Sequence, residues 1–292
     1  MNNADFINLI GQTAGVVIGL DIGGTTTKIV GFANGELLTE KLVEASDPVA
    51  SAYGALGKFL RENDLKLAEV QEIRTTGVGS SAISGNLFDC PTRRVPEFNA
   101  TGLGGLYVAG LERAVVVSMG TGTSIVYADQ ETSRHIIGSG VGGGTLLGLA
   151  VRMLNVRDFT SLAEMADQGS LENVDLTIGD ISCEAIGNLT ANTTASNFGK
   201  VNDKAQPNDL ALGIVNLVFQ SVGTASVMSA RLADVDKVVF TGNMVRMTQG
   251  RNTLQTFSKL YGIEMIVPER AEFATAIGAA LHQKDELTHK VF

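Results

Sequence analysis

Apolar and polar positions follow two rhythms along the chain: short solid apolar runs that end at glycine, and longer stretches with apolar residues at helical spacing. The first run, Val16 to Leu20, closes on Asp21, passes through Ile22-Gly23-Gly24-Thr25-Thr26-Thr27-Lys28 and resumes at Ile29. Two short β-rich runs around a Gly/Thr turn predict a hairpin. A turn at Asn34-Gly35 leads to a third strand, Glu36 to Val43. Asp47-Pro48 is a helix start, an acid at the cap before a proline at the first helical position. Val49, Tyr53, Leu56, Phe59 and Leu60 then recur at helical spacing. Three antiparallel strands followed by helix–strand alternation predict an α/β fold, a mixed sheet with helices against its faces.

The pattern then returns. Glu72 to Thr76 predicts a strand ending at Gly77-Val78-Gly79, and Pro96-Glu97 opens a helix running to about Gly110. Ala114 to Val117 is apolar, Ser118-Met119-Gly120-Thr121-Gly122-Thr123-Ser124 forms a second Gly/Thr turn, and Ile125 to Tyr127 resumes strand character. Two echoing hairpins are far more specific than either alone. A glycine run, Gly138 to Gly144, feeds a helix from Thr145 to Leu154. Residues 160 to 206, richer in Asn, Thr and Ser, predict an irregular lid, pocket wall or surface loop. Beyond them come a long helix from Asn208 to Arg231, a buried strand and tight turn from Val238 to Asn243, a helix from Thr253 to Tyr261, a strand from Glu264 to Val267 and a helix from Phe273 to His282. This divides the chain into a short extension (1–15), a first lobe (16–95) and a second lobe (96–292), whose last helix, about 272–284, packs back on the hinge. No break in composition marks a linker.

Composition narrows the function. The chain has 292 residues, 44% of them apolar, and a net charge of −9, which speaks against a general nucleic-acid or anionic-membrane binder. Its two cysteines, Cys90 and Cys183, lack metal spacing and give no disulfide framework. The N-terminus lacks a basic start and a long apolar stretch, and no run reaches membrane-spanning length, so a cytoplasmic location is expected.

The first turn carries the chemistry. Gly23 and Gly24 let a ligand approach the main chain, Thr25, Thr26 and Thr27 add hydroxyls, and Lys28 adds a mobile charge. Asp21, at the strand end, could hold a hydrated Mg²⁺ beside phosphate oxygens. All of this suits a polyphosphate, although an ordinary hairpin with a polar turn is the alternative. The Walker pattern is absent. The glycine run at a helix N-terminus adds a second place for backbone N–H groups to meet an anion.

The two hairpins, the Val238 to Asn243 turn and the Ala-Ile-Gly-Ala-Ala helix near the end resemble the hexokinase–actin ATPase superfamily. That resemblance implies two lobes of ribonuclease H-like, mixed-sheet architecture with the active site in the cleft between them. Within that group the chain is most similar to type II pantothenate kinases, from about residue 16 to 282. The motifs are D-x-G-G-T-x-x-K at 21–28, E-F-N-A at 97–100, M-G-T-G-T-S at 119–124, G-x-G-G-G at 140–144 and A-S-N-F-G at 195–199. The implied activity is transfer of the γ-phosphate of ATP to the primary hydroxyl of pantothenate by a homodimer.

The resemblance makes Glu97 the catalytic base, and Ser118 and Met119 in the second hairpin cannot accept a proton. Without the family, Glu97 could simply complement the positive end of a helix. Nucleotide contacts are implied at Asp21 to Lys28, Gly120, Thr121, Gly122, Gly143, Gly144, Thr145, Leu146, Leu147, Phe159, Gly242 and Asn243. Substrate contacts are implied at Glu97, Thr121, Ser124, Arg134, His135 and Ala195, with Asp21 organising Mg²⁺ through water. One departure stands out: the family arginine before the glycine run is replaced by His135, with Arg134 just before it. The histidine is expected to face the pocket; Arg134 could substitute only if the strand bulges or slips by one. Alternatives are an N-acetylhexosamine or other small-alcohol kinase, whose catalytic aspartate and sugar motifs are missing, and a non-catalytic nucleotide-binding regulator. An iron–sulfur ATPase activator shares the fold, but two scattered cysteines argue against a cluster.

Overall fold

The computed structural model describes residues 15–24, 26–44, 47–182, 187 and 189–283. All but the last residue of the expected N-terminal extension, together with Thr25 and Cys183, lie outside them. The first hairpin forms as the apolar runs require: β1 (Val16–Ile22) pairs antiparallel with β2 (Thr26–Ala33), which pairs with β3 (Glu36–Glu44). α1 (Pro48–Glu62) starts where the sequence says, with the Asp47 carboxylate accepting from the Ala50 N–H at 2.6 Å. β4 (Val70–Thr76) and β5 (Thr92–Arg94) then join in parallel, giving the order β3-β2-β1-β4-β5.

α2 (Glu97–Ala109) crosses to the second sheet. There β6 (Ala114–Met119), β7 (Thr123–Ala128) and β8 (Ser133–Ser139) run antiparallel, followed by α3 (Gly143–Leu154). α4 (Phe159–Asp167), a ribbon of β9 (Leu176–Thr177) with β10 (Thr194–Ser196), and the single turn α5 (Ile178–Ile181) come next. The long α6 (Pro207–Leu232), β11 (Lys237–Thr241), α7 (Thr248–Tyr261), β12 (Glu264–Ile266) and α8 (Ala274–Leu281) complete the fold. The second sheet has the order β8-β7-β6-β11-β12, the same topology as the first. Both contain antiparallel and parallel pairs, as expected.

The duplication extends to the turns. After β4, Gly77 (φ 83°) opens a 3₁₀ turn at Val78–Ala82; after β11, Gly242 (φ 91°) opens another at Asn243–Arg246. α6 is the one described helix long and apolar enough to cross a membrane, but it is mostly buried, with Val218, Phe219 and Val222 packed on Val115, Val117 and Phe240 of the second sheet. α8 packs on α2 and also beneath the first sheet, where Ala276, Ile277 and Ala280 meet Val17, Val30 and Phe32.

Three sequence expectations need correction. Residues 160 to 206 are not uniformly irregular, because α4 has its own cap, the Ser161 N–H donating to Asp158 at 2.8 Å. α7 begins at Thr248, five residues early, because Gly250 packs closely against the tip of the Phe219 ring and carries no apolar signature. Val49 and Tyr53 are exposed; α1 turns Ser51, Ala52, Ala55, Leu56 and Phe59 inward, since Phe59 lies directly over Gly31 of β2.

Candidate active site

β1, β4 and β5 run parallel, so their carboxyl ends share one edge, the usual place for a ligand crevice. Asp21 pairs in register with Lys28 across the hairpin and with Thr76 across β4. The Lys28 Nζ lies 3.7 Å from Asp21 Oδ2, and both side chains are largely shielded from solvent. Gly24 is exposed, with open space where a Cβ would stand, so its main chain is approachable. Gly77 is packed so closely that a Cβ would lie 2.6 Å from Asp21 Oδ1. The Ile22 side chain is in the core, and the Thr27 hydroxyl accepts from the Ser51 hydroxyl at 2.6 Å. These two side chains therefore hold the hairpin rather than reach a ligand.

Glu97 is the first residue of α2 and borders a cavity of about 280 Å³ with Gly77, Ser80, Arg94, Val95 and Pro96. Partial burial raises its carboxyl above the ordinary 4.5, the nearby Asp21 charge adds to this, and Arg94 opposes both. A carboxyl of this kind suits proton acceptance from a hydroxyl. The next residue, Phe98, stacks on His135 with ring centroids 4.3 Å apart. Arg134 instead lies over Tyr127, 5.9 Å from its centroid. β8 does bulge, since Ile125 pairs with Ile137 while Val126 pairs with His135, leaving Ile136 extra; the bulge falls after His135 and leaves that ring on the α2 side.

In the second lobe the hairpin turn and α3 are welded together. The Gly143 and Gly144 N–H groups donate to Gly120 O at 2.9 Å and Thr121 O at 2.8 Å. This corrects the expectation that they face an anion: their donors are taken, and a Cβ on Gly143 would lie 2.9 Å from Gly120 O and 3.1 Å from the Phe159 ring. The Thr145 hydroxyl donates to Gly140 O, Leu146 is core and Leu147 is half-buried. Gly122 and Thr121 back directly onto Gly142, and Gly242 onto Met119. Asn243 Oδ1 and Thr76 Oγ1 are buried without a hydrogen-bond partner, so each turn leaves one orphan polar atom. Ser124 sits mid-strand opposite Ser118 and Gly138. Ala195 is exposed on β10, in a segment fastened to α6 through the buried Asp175: its carboxylate accepts from the Phe198 N–H at 2.9 Å and the Asn216 amide at 2.7 Å.

The structure thus assembles two groups, Asp21–Lys28–Glu97 with Phe98 and His135, and Gly120–Gly143–Phe159 with the Gly242 turn. The sequence model of the Fumble family matches residues 113–282. The chain belongs to the Fumble family. Relatives include a type II pantothenate kinase of Bacillus cereus (strain G9842), 28% identical over 276 residues, covering 91% of this chain and 97% of that one. The type II pantothenate kinase of Staphylococcus aureus (strain USA300) is 26% identical, covering 91% and 99%. Among solved structures, the activator of 2-hydroxyisocaproyl-CoA dehydratase from Clostridium difficile with bound ADPNP superposes with a TM-score of 0.66 at 19% identity, covering 91% and 93%. The ROK hexokinase from Thermus thermophilus gives 0.51 at 15%, covering 91% and 97%. These likenesses fix the fold as that of the actin/hexokinase-like ATPases.

Within this Fumble-family chain, several residues at the site escaped sequence reading. Ser80 lines the cleft, and Thr76 lies buried beside Asp21 with its hydroxyl unpartnered; both belong to segments whose signal was only a glycine turn. Asn99, two residues after Glu97, contacts the His282 ring at 3.3 Å, and Arg93 donates to His282 O at 2.7 Å. The third residue of E-F-N-A therefore ties the start of α2 to the end of α8.

Proposed function

We propose that this chain is a pantothenate kinase, transferring the γ-phosphoryl group of ATP to the primary hydroxyl of pantothenate, the first step towards coenzyme A. The observation that carries the reading is Glu97, a carboxyl raised above its ordinary range, in a cavity beside the Asp21–Lys28 hairpin. The names of the relatives that span 91% of the chain supply the acceptor. Glu97 takes the hydroxyl proton, the oxygen attacks the γ-phosphorus, and the bond to the departing ADP oxygen breaks. Lys28 and the Gly23–Gly24 main chain steady the phosphate charge, and positioning supplies most of the remaining rate. Asn243 Oδ1 fits an adenine amino donor, and Thr76 Oγ1 lies on the residue paired with Asp21. Among the described residues no cluster of three metal-ligating side chains exists, so Mg²⁺ would rest on Asp21 through water and on phosphate oxygens, a usual mode for this ion. When bound, it would neutralise phosphate charge. The His135 ring, stacked on Phe98, forms a wall for the acceptor and offers it a hydrogen bond. A homodimer in the cytoplasm belongs to the same proposal.

Glu97→Gln keeps the side chain's size and removes the base. Turnover of pantothenate should fall by about 10²-fold or more, with ATP affinity by calorimetry retained. A folded variant working at the native rate would remove Glu97 from this role. ADP release scored against pantothenate and N-acetylhexosamines decides the acceptor.

A further inference from the structure

Among the described residues, Arg94 is an uncommitted cation beside the cleft. Its neighbour Arg93 is engaged by Glu72 at 3.0 Å and by His282, and Arg74 by Glu72 at 2.7 Å and by Ala280 O. Arg94, exposed at the end of β5, forms no ion pair with the described acids. It lines the cavity that holds Glu97 and also a second one of about 230 Å³, sharing Ser80 between them. The second cavity is polar, with Ser81, Asn86 and Thr92 on its walls. Arg94 and Glu97 feel each other's charge without touching, which leaves room for a molecule between them.

We propose that Arg94 binds the carboxylate of the acceptor, with the acceptor's body lying from Glu97 towards the second cavity. This rests on the pantothenate reading above and adds the residue that recognises the acid. The hydroxyl and carboxylate of pantothenate are eight bonds apart, about 9 Å at the 3.3–3.6 Å that three extended bonds span. Arg94 and Glu97 are three positions apart along the chain, a comparable reach. Arginine brings a permanent charge and a planar fork for a carboxylate, whereas His135, flat on Phe98, brings one ring edge and serves the middle of the molecule.

The test compares pantothenate with its neutral carboxamide at saturating ATP, using Arg94→Ala, Arg94→Gln and His135→Ala, each checked by thermal melting. On pantothenate, both Arg94 variants should lose about tenfold to a hundredfold in kcat/KM, through KM, as for loss of a charge-assisted hydrogen bond. On the carboxamide, assayed at a pH well above the Glu97 midpoint so that the base stays ionised in every variant, they should match the wild type, while His135→Ala weakens both substrates alike. Equal losses on both substrates, or none on either, would overturn the assignment of Arg94. A wild-type protein inactive on both would instead overturn the pantothenate reading beneath it.

Discussion

The proton-accepting role proposed for Glu97 needs an ionised carboxylate, yet its surroundings favour the protonated form. Its carboxyl titrates above 4.5 because burial and the Asp21 charge outweigh Arg94. Activity should therefore fall as pH drops through that raised value, and the acid limb of kcat/KM should lie above the ordinary glutamate range. Direct titration of the ligand-free protein by infrared or NMR checks the causes separately: Asp21→Asn should move the Glu97 midpoint down, and Arg94→Gln should move it up. A midpoint indifferent to both would mean that burial alone sets it. The positions of Asp21, near the end of β1, and Glu97, at the start of α2, were legible in the sequence from the adjoining glycine and proline signals. Arg94 was not, because nothing in Thr92-Arg93-Arg94 tells the engaged arginine from the free one. Only the fold decides that Glu72 takes Arg93. Gly143 was misread for a similar reason: a glycine needed for close packing against Gly120 spells the same as one needed for a ligand.

Among elements, the crossing of α2 and α8 is the tightest contact: a Cβ on Gly104 would lie 1.7 Å from Ala274 O, and one on Gly278 1.8 Å from Ala100 O. Neither backbone can yield without parting the helices. Gly104→Ala and Gly278→Ala should each destabilise by about 1–3 kcal/mol or more, read as a lowered midpoint in urea, while an alanine at Gly54, open and exposed in the middle of α1, should raise the midpoint, stabilising by about 0.5–1 kcal/mol. Equal midpoints for all three would show that the helices separate easily. The segment carrying Ala195 is held differently, by polar atoms. Asp175, fully buried, also accepts from the Asn197 amide at 3.2 Å and the Thr194 hydroxyl at 3.4 Å. Asp175→Ala leaves these donors unmatched and should cost about 3 kcal/mol or more; chemical denaturation at the native midpoint would refute that. Both hairpins and the long α6 were readable because apolar runs and helical spacing state them directly. α4 was not, since its apolar positions are confined to two turns of Thr- and Ser-rich sequence, and the first turn of α7 was hidden by a glycine.

At the scale of the molecule, one architecture is used twice, and the helix that follows each sheet packs on the other: α2 on β6, β7 and β8, α8 on β1, β2 and β4. The lobes are joined through this exchanged pair and by the Arg74 and Arg93 contacts at its end. The echo between the hairpins announced the duplication, and the last helix was expected to return to the hinge; which sheet it covers could not be read, because an Ala- and Gly-rich helix is equally suited to either. The exchange also sets an order of events during protein synthesis. Val17, Val30 and Phe32 leave the ribosome early, but Ala276, Ile277 and Ala280, which cover them, follow only after some 240 further residues have been translated. At about 5–20 residues per second that is a wait of roughly 12 to 50 s. Throughout it, one face of the first sheet is without its lid, and a nascent chain of this kind is a natural client for chaperones that shelter exposed strands.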